Sequence, residues 1–317
     1  MTDPKPIQIF FQALQIKHTN DNLKFHYPFE EFEMFVRDAT EKTSASPSGR
    51  HYGHFKVIQK YLPDILKDVH RIMKVSMSHN VLIPRYCKTV TTLMAKEPGQ
   101  PKIHRLRPLH LIEIELQAIA KSQWSKKLIR HSEYKRLITD SQYGGRAGNQ
   151  AQSAVLNKVL AYDTNNLYVK NYTSVDEDLK ANFDRELSHL GAMEDRYYGA
   201  PINQGEYLHK ATSSQEFFIK TKYGISDGSY TFSKDLKIWG LGQGIGWSGS
   251  RWILTSSTIT RAMESHSYGL KLHSPDKSVF IQKNLDMFAD DTSQICNSFF
   301  NSCLLEQTKQ NLQLHLH

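Results

Sequence analysis

Three aspartates stand where carboxylates can serve phosphoryl chemistry. In "YTSVDEDLKANFDREL" a short run rich in Tyr, Thr and Val reads as a strand ending at Asp178, followed by the helix-like "LKANFDRELSHL". In "KNLDMFADDTSQIC" two β-compatible runs, "LDMFA" and "TSQIC", flank Asp290 and Asp291, the pattern of a tight hairpin with adjacent acids at its tip. Ionised carboxylates side by side repel, and a third raises the cost unless cations neutralise the cluster. Mg2+ is the obvious counter-ion, with Mn2+ the second candidate. It prefers carboxylate and phosphate oxygen, and two such ions about 3.5–4 Å apart can stabilise both the attacking and the leaving oxygen of a phosphoryl transfer. Taken singly, an Asp-Asp pair is more often only a solvated turn, because Asp favours turns for local hydrogen-bonding reasons. The balance shifts with the full order: a cationic hairpin, a strand-end Asp with an aromatic five residues on, a Gly-Gln-Gly loop, then the Asp-Asp hairpin.

Those residues need a scaffold. Between Pro84 and Pro108 the chain alternates β-branched and polar residues around "EPGQP", as a β-hairpin does, and Lys96, Lys102, Arg105 and Arg107 flank the turn. A long helix is expected through "IEIELQAIAKSQWSKKLIRHSEY", and "SQYGGRAGNQAQSAVLNKVLAYD" reads as a Gly-rich loop feeding another helix. Upstream, Phe29, Phe32, Phe35 and Val36 recur at helical intervals. A polar "TSASPSGR" loop then passes into a helical pattern carrying Ile58, Tyr61, Leu62, Ile65, Leu66 and Val69. His51 and His54 form an isolated His-x-x-His pair without a further ligand type nearby, which favours packing or backbone contact over a metal site. "GLGQGIG" lacks the Lys-Ser/Thr of a phosphate-binding P-loop and taken alone is a flexible turn.

The 317 residues, 39% hydrophobic and 11% aromatic, are enough for a sizeable core, and a net charge of +8 favours polyanionic partners. Cys87, Cys296 and Cys303 are too few and too unevenly spaced for a disulfide framework or zinc ribbon. No apolar run approaches the roughly 18–20 residues of a membrane span, and the N-terminus lacks the features of a signal peptide. The expectation is a soluble intracellular protein with no membrane partner.

From about Ser44 to the C-terminus the chain resembles the reverse transcriptases of retroelements, most nearly those of retrotransposons lacking long terminal repeats. "DLKANFDR" is similar to the family's first palm motif, "WGLGQGIGWSG" to its Gly-x-x-Gln-Gly segment, and "FADD" to its aromatic-x-Asp-Asp signature. The resemblance implies an α+β right-hand polymerase with fingers and palm, an antiparallel palm sheet backed by helices, and the thumb missing. On that reading residues 1–43 are a helical extension, 44–170 the fingers and their connection to the palm, and 171–317 a truncated palm. Asp178 and Asp290 would ligate both metal ions, Asp291 would assist, and the carbonyl of Leu179 would complete one coordination shell. Phe183 would be the steric gate beneath the sugar, excluding a 2′-hydroxyl by clash. Gln243 and Gly244 resemble the loop that packs against the templating base and the nucleotide. Lys102, Arg107 and, third, Arg105 would hold the triphosphate, and Arg146 is the candidate for a phosphate of the template.

The implied activity is templated DNA synthesis from deoxynucleoside triphosphates on a primed RNA or DNA template, with nuclear action consistent with the family although no localisation signal is found. The chain stops at His317, a helix length beyond the Asp-Asp hairpin, where the family's palm continues into a lysine-bearing segment, a primer-grip hairpin and a thumb; a fragment or truncated copy is therefore expected. "GQGIGWSG" also lacks the Pro that often follows the family's Gln-Gly region. Two alternatives stay open: an RNA-dependent RNA polymerase, since Asp178 and Asp184 have a spacing such enzymes show, and a non-catalytic remnant that binds nucleic acid through its basic face.

Overall fold

A computed structural model describes residues 8, 9, 12, 14, 23, 24, 26–99, 102–178, 186–231, 240–266, 269–274, 276–289 and 291–298, with the backbone alone at 104, 178, 266 and 298. Helices α1 (Phe29–Asp38), α2 (Tyr52–Tyr61) and α3 (Pro63–Ser78) precede strands β1 (Lys88–Ala95) and β2 (Leu106–Leu111). Helix α4 (Ile114–Ala120) runs through a π-helical stretch, Lys121–Leu128, into α5 (Ile129–Tyr134). After α6 (Ala151–Leu167) and β3 (Asn171–Asp178) come α7 (Ser188–Tyr197), α8 (Ile202–Ser213) and strands β4 (Glu216–Thr221), β5 (Gly224–Ile225) and β6 (Tyr230–Thr231). The long α9 (Ser248–His266) is followed by β7 (Leu270–His273), β8 (Phe280–Lys283), β9 (Leu285–Phe288) and β10 (Asp291–Ser298). The architecture is α+β, with mostly antiparallel strand pairs.

The chain divides into two compact units that interleave in sequence, cutting across the contiguous stretches 44–170 and 171–317. One comprises Thr19–Lys135 and Asn182–Arg251. Its sheet has the order β2-β1-β4-β5, with β6 added to β4. β1 and β2 form the antiparallel hairpin expected around "EPGQP", in register Leu93↔Pro108, and Pro108 is tolerated because β2 is an edge strand. β1 and β4 run parallel, Val90 opposite Phe218. Phe32, Leu66, Met73, Leu116, Ile119 and Trp124 are fully buried. In α1 the buried residues are Phe32 and Val36, as their helical spacing requires.

The helical pattern after the Ser/Pro/Gly loop differs from expectation. It breaks at Leu62, and Pro63 opens a new helix, because a prolyl nitrogen has no N–H to donate and fits the first turn. Tyr61, Leu62 and Ile65 stay 64%, 51% and 47% exposed; Leu66 packs as its place in the pattern requires, together with His70, Met73 and Met77.

The other unit comprises Met1–His18, Arg136–Ala181 and Trp252–His317. Its central sheet is antiparallel, in the order β3-β10-β9, and β7 and β8 form a separate hairpin. Strand alternation divides the side chains between two faces. Leu285 and Met287 of β9 pack with Met263 and Ile259 of α9, whereas Ile295 of β10 clusters with Ala161 of α6 and Leu270. Among the described residues no helix is long and apolar enough to cross a membrane.

Candidate active site

The ladder of the three-stranded sheet joins the two acidic motifs. Position 178, the last residue of β3, pairs with Asp291, the first of β10, although they are far apart in sequence. Asp291 also pairs with Phe288 at the end of β9, so the hairpin turns one residue earlier than the runs "LDMFA" and "TSQIC" suggested: Ala289 lies in the turn, and Asp291, expected at the tip, begins β10. Ala289 has a φ of 57°, in the left-handed region that costs an L residue roughly 1–2 kcal/mol.

Neighbouring backbone over-determines that strained tip. Met287 donates its N–H to Ser141 O at 2.8 Å and accepts from Tyr143 N at 2.8 Å, so 141–143 runs alongside β9. The indole N–H of Trp252 donates to Ala289 O at 2.8 Å. A Cβ on Gly144 would lie 2.2 Å from Ala289 N, so only glycine permits the approach. The Gly/Arg loop therefore shapes the acidic hairpin. Arg146 spends Nη1 on its own loop, donating to Thr139 O at 2.7 Å and Gln142 O at 2.8 Å. Gly144→Ala is expected to displace the tip and to cost about 1–3 kcal/mol, the usual range for overpacking. A urea midpoint unchanged from the parent would contradict this account.

Alternation places Asp176, Ser293 and Asp286 on the same face as Asp291, in the neighbouring row of the sheet. Each of these two acids has a lysine. Lys158 of α6 pairs with Asp176, and Lys283 with Asp286 at 2.5 Å while also donating to the Tyr143 hydroxyl at 3.2 Å. Burial raises the Asp286 pKa; burial also opposes the charge on Lys283, but its bond to Asp286 holds its pKa above the usual lysine value. A cavity of about 440 Å³ opens here, lined by Ala154, Val155, Lys158, Asp176, Phe288 and Asp291 among others.

In the other unit the cationic hairpin and the Gly-Gln-Gly loop abut. His110 of β2 donates its backbone N–H to Gln243 O at 2.8 Å. The Gln117 side chain clamps the loop from α4, donating to Gly244 O at 3.2 Å and accepting from Gly246 N at 2.9 Å. Gly244 has a φ of 95°, a conformation that favours glycine. The His110 ring lies 3.0 Å from Thr91 Oγ1, and burial pulls its pKa down to about 4, so it is neutral at pH 7. Lys102, Arg105 and Arg107 are all exposed. Arg105 Nη1 reaches both oxygens of Glu97 at 3.0 Å.

Sequence reasoning missed the buried charge cluster behind this loop. Arg251 is wholly buried and bonds Glu186 at 2.8 Å, Glu194 at 2.6 Å, and Asp195. Trp124 donates its indole N–H to the second Asp195 oxygen at 2.8 Å. Nothing in the spacing of these residues announces the cluster. His51 and His54 cap α2 reciprocally, a structural use that accounts for the pair.

Leu179, Phe183 and Asp290 lie outside the described residues, as does the side chain of Asp178. Among the described residues no group of three or more His, Cys, Asp or Glu side chains is arranged to hold a metal ion. The acids near the hairpin are hard oxygen donors, the chemistry Mg2+ and Mn2+ require. No protein-family model matches the chain, and no curated protein matches it.

Proposed function

We propose that the protein is a nucleotidyltransferase of the reverse-transcriptase type, adding deoxynucleotides to a primer on an RNA template. One observation carries the reading: the β3–β10 register sets position 178 opposite Asp291, the residue that follows Asp290 in the sequence and that also pairs with Phe288 of β9. Residues directly opposite in an antiparallel pair have Cβ atoms about 4.5–5.5 Å apart, a spacing that shared cations can bridge. In this reading β3, β9 and β10 are strands of the palm, and the β1–β2 hairpin belongs to the fingers.

Asp178, Asp290 and Asp291, with the carbonyl of Leu179, would hold Mg2+ or Mn2+. The bound ions would supply charge stabilisation at the attacking and leaving oxygens. Lys102, Arg107 and Arg105 neutralise and orient the triphosphate, Arg107 with a planar fork suited to two phosphate oxygens. Gln243 and Gly244 pack against the templating base and the nucleotide, in a loop hydrogen-bonded to Gln117 and His110. Phe183 discriminates against ribonucleotides by clash.

The experiment is primer extension on an RNA template with deoxynucleotides and Mg2+. Incorporation is expected from the parent chain and should vanish when the metal is chelated. Incorporation that continued undiminished in Asp290→Asn would overturn the reading.

A further inference from the structure

The Ser/Pro/Gly loop of the N-terminal third plays no part in the chemistry above, yet it is tied down more tightly than a passive connector requires. Ser46 N donates to Arg50 O at 2.7 Å and Gly49 N to Ser46 O at 2.9 Å, closing a turn in which Gly49 has a φ of 79°. The wholly buried carboxylate of Glu113 accepts from Ser48 N at 2.8 Å, Ser48 Oγ at 2.8 Å and Ser46 Oγ at 3.2 Å. This welded turn delivers Arg50.

Arg50 Nη1 donates to Glu115 Oε1 at 2.5 Å, and Arg85 Nη2, from the segment before β1, donates to the same oxygen at 2.7 Å. The Glu115 side chain is 0% exposed, whereas those of Arg50 and Arg85 are 40% and 29% exposed. Two guanidiniums thus converge on one carboxylate oxygen. One bidentate arginine would suffice to neutralise a buried carboxylate. Here each arginine spends a single N–H on Glu115, and Glu115 Oε2 takes no hydrogen bond among the described residues. Arg85 is further held over the Tyr86 ring, 5.3 Å from its centroid.

We infer that Arg50 and Arg85 form an anion-binding fork for a backbone phosphate of a nucleic-acid strand, with Glu115 as the buried anchor that fixes both guanidiniums. The choice of a nucleic-acid strand rests on the proposed polymerase function; the fork itself rests on the convergence of two partly exposed arginines on one buried oxygen. Planar guanidiniums match phosphate oxygens; Arg85 Nε is buried, so a phosphate would take the N–H groups on the exposed parts of the two guanidiniums that Glu115 leaves unused.

The test measures affinity of the full chain for labelled single-stranded RNA as a function of salt, in chelator so that catalysis plays no part. Arg50→Gln retains an amide near Glu115 and leaves Arg85 to neutralise it. It should weaken binding several-fold at low salt and flatten the slope of log affinity against log salt by about 0.7, the contribution of one single-strand phosphate. Arg50→Lys keeps the charge, and should keep the slope while still losing affinity. Unchanged affinity in both variants, with native thermal unfolding, overturns the fork and leaves the polymerase reading intact. A parent chain with no salt-dependent affinity for RNA overturns both. Stabilisation by inorganic phosphate that Arg50→Gln abolishes, with RNA affinity unaltered, would assign the fork to a free anion and overturn the strand assignment.

Discussion

Arg251→Leu is expected to cost about 3–5 kcal/mol of folding stability, the range for removing one partner of a buried ionic cluster. The guanidinium is wholly buried and is bonded to each of Glu186, Glu194 and Asp195. Its removal strands three carboxylates in a low-dielectric interior, where an unpaired charge is far costlier than a lost contact. Gly191 sits directly against the guanidinium, where a Cβ would lie 2.6 Å from Arg251 Nη2. Arg251→Lys should fail as well, since an ammonium cannot match the fork. Burial raises the Asp195 pKa, and the Arg251 charge with the Trp124 and Arg251 hydrogen bonds pulls it back. A carboxyl whose folded pKa lies above its unfolded value favours folding below the unfolded value, and that contribution is lost as the pH rises through the folded one. In Arg251→Leu the opposing charge disappears, so the Asp195 carboxyl moves further up. The stability gap to the parent should be widest at neutral pH and narrow as the pH falls toward about 4, where carboxyls take up protons. Urea midpoints measured from pH 4 to pH 8 decide the matter, and a gap that did not change with pH would refute the electrostatic account.

What could be read in the sequence depended on the range of the interactions involved. The β1–β2 hairpin was legible because turn residues and alternation are local signals, and the β9–β10 hairpin for the same reason. Helix α1 was legible because Phe32 and Val36 stand one turn apart on a single face. The face of α3 was misread in part because apolar spacing does not reveal which turn ends a helix; Pro63 did, and it left Tyr61, Leu62 and Ile65 exposed. The parallel pairing of β1 with β4 joins residues more than a hundred positions apart and has no local signature. The Arg251 cluster was hidden because charged residues are ordinarily read as surface, and only tertiary packing reveals a buried set. The Gly/Arg loop carried a clear glycine signal whose purpose, close approach to Ala289, depends on a hairpin well over a hundred residues downstream. For the acids, the ladder sets position 178 against Asp291, a pairing across more than a hundred residues that no local signal gives.

That register leads to a prediction with two opposite signs. Like charges directly opposite one another in an antiparallel pair are destabilising. In metal-free buffer, Asp291→Asn should therefore raise the stability slightly, by about 0.2–1 kcal/mol, because it removes one of two acids paired across the strands. If the acids hold metal, the parent must recover that deficit on binding: a ligand at a hundred times its dissociation constant stabilises the folded state by about 2.7 kcal/mol. Mn2+ should thus raise the unfolding temperature of the parent and do little for Asp291→Asn or Asp178→Asn, so the order of stability inverts between chelator and metal. In the same variants deoxynucleotide incorporation should fall at least about 100-fold, since losing roughly 3 kcal/mol of charge stabilisation in the transition state corresponds to that factor. Ala289, next to these acids, has a left-handed φ of 57°, a conformation that persists only where its surroundings over-determine it. The two readouts separate the possibilities. Loss of incorporation without loss of the Mn2+ shift would mean that the acids act other than as ligands. A parent chain whose unfolding is indifferent to Mn2+ would remove the metal from this hairpin altogether.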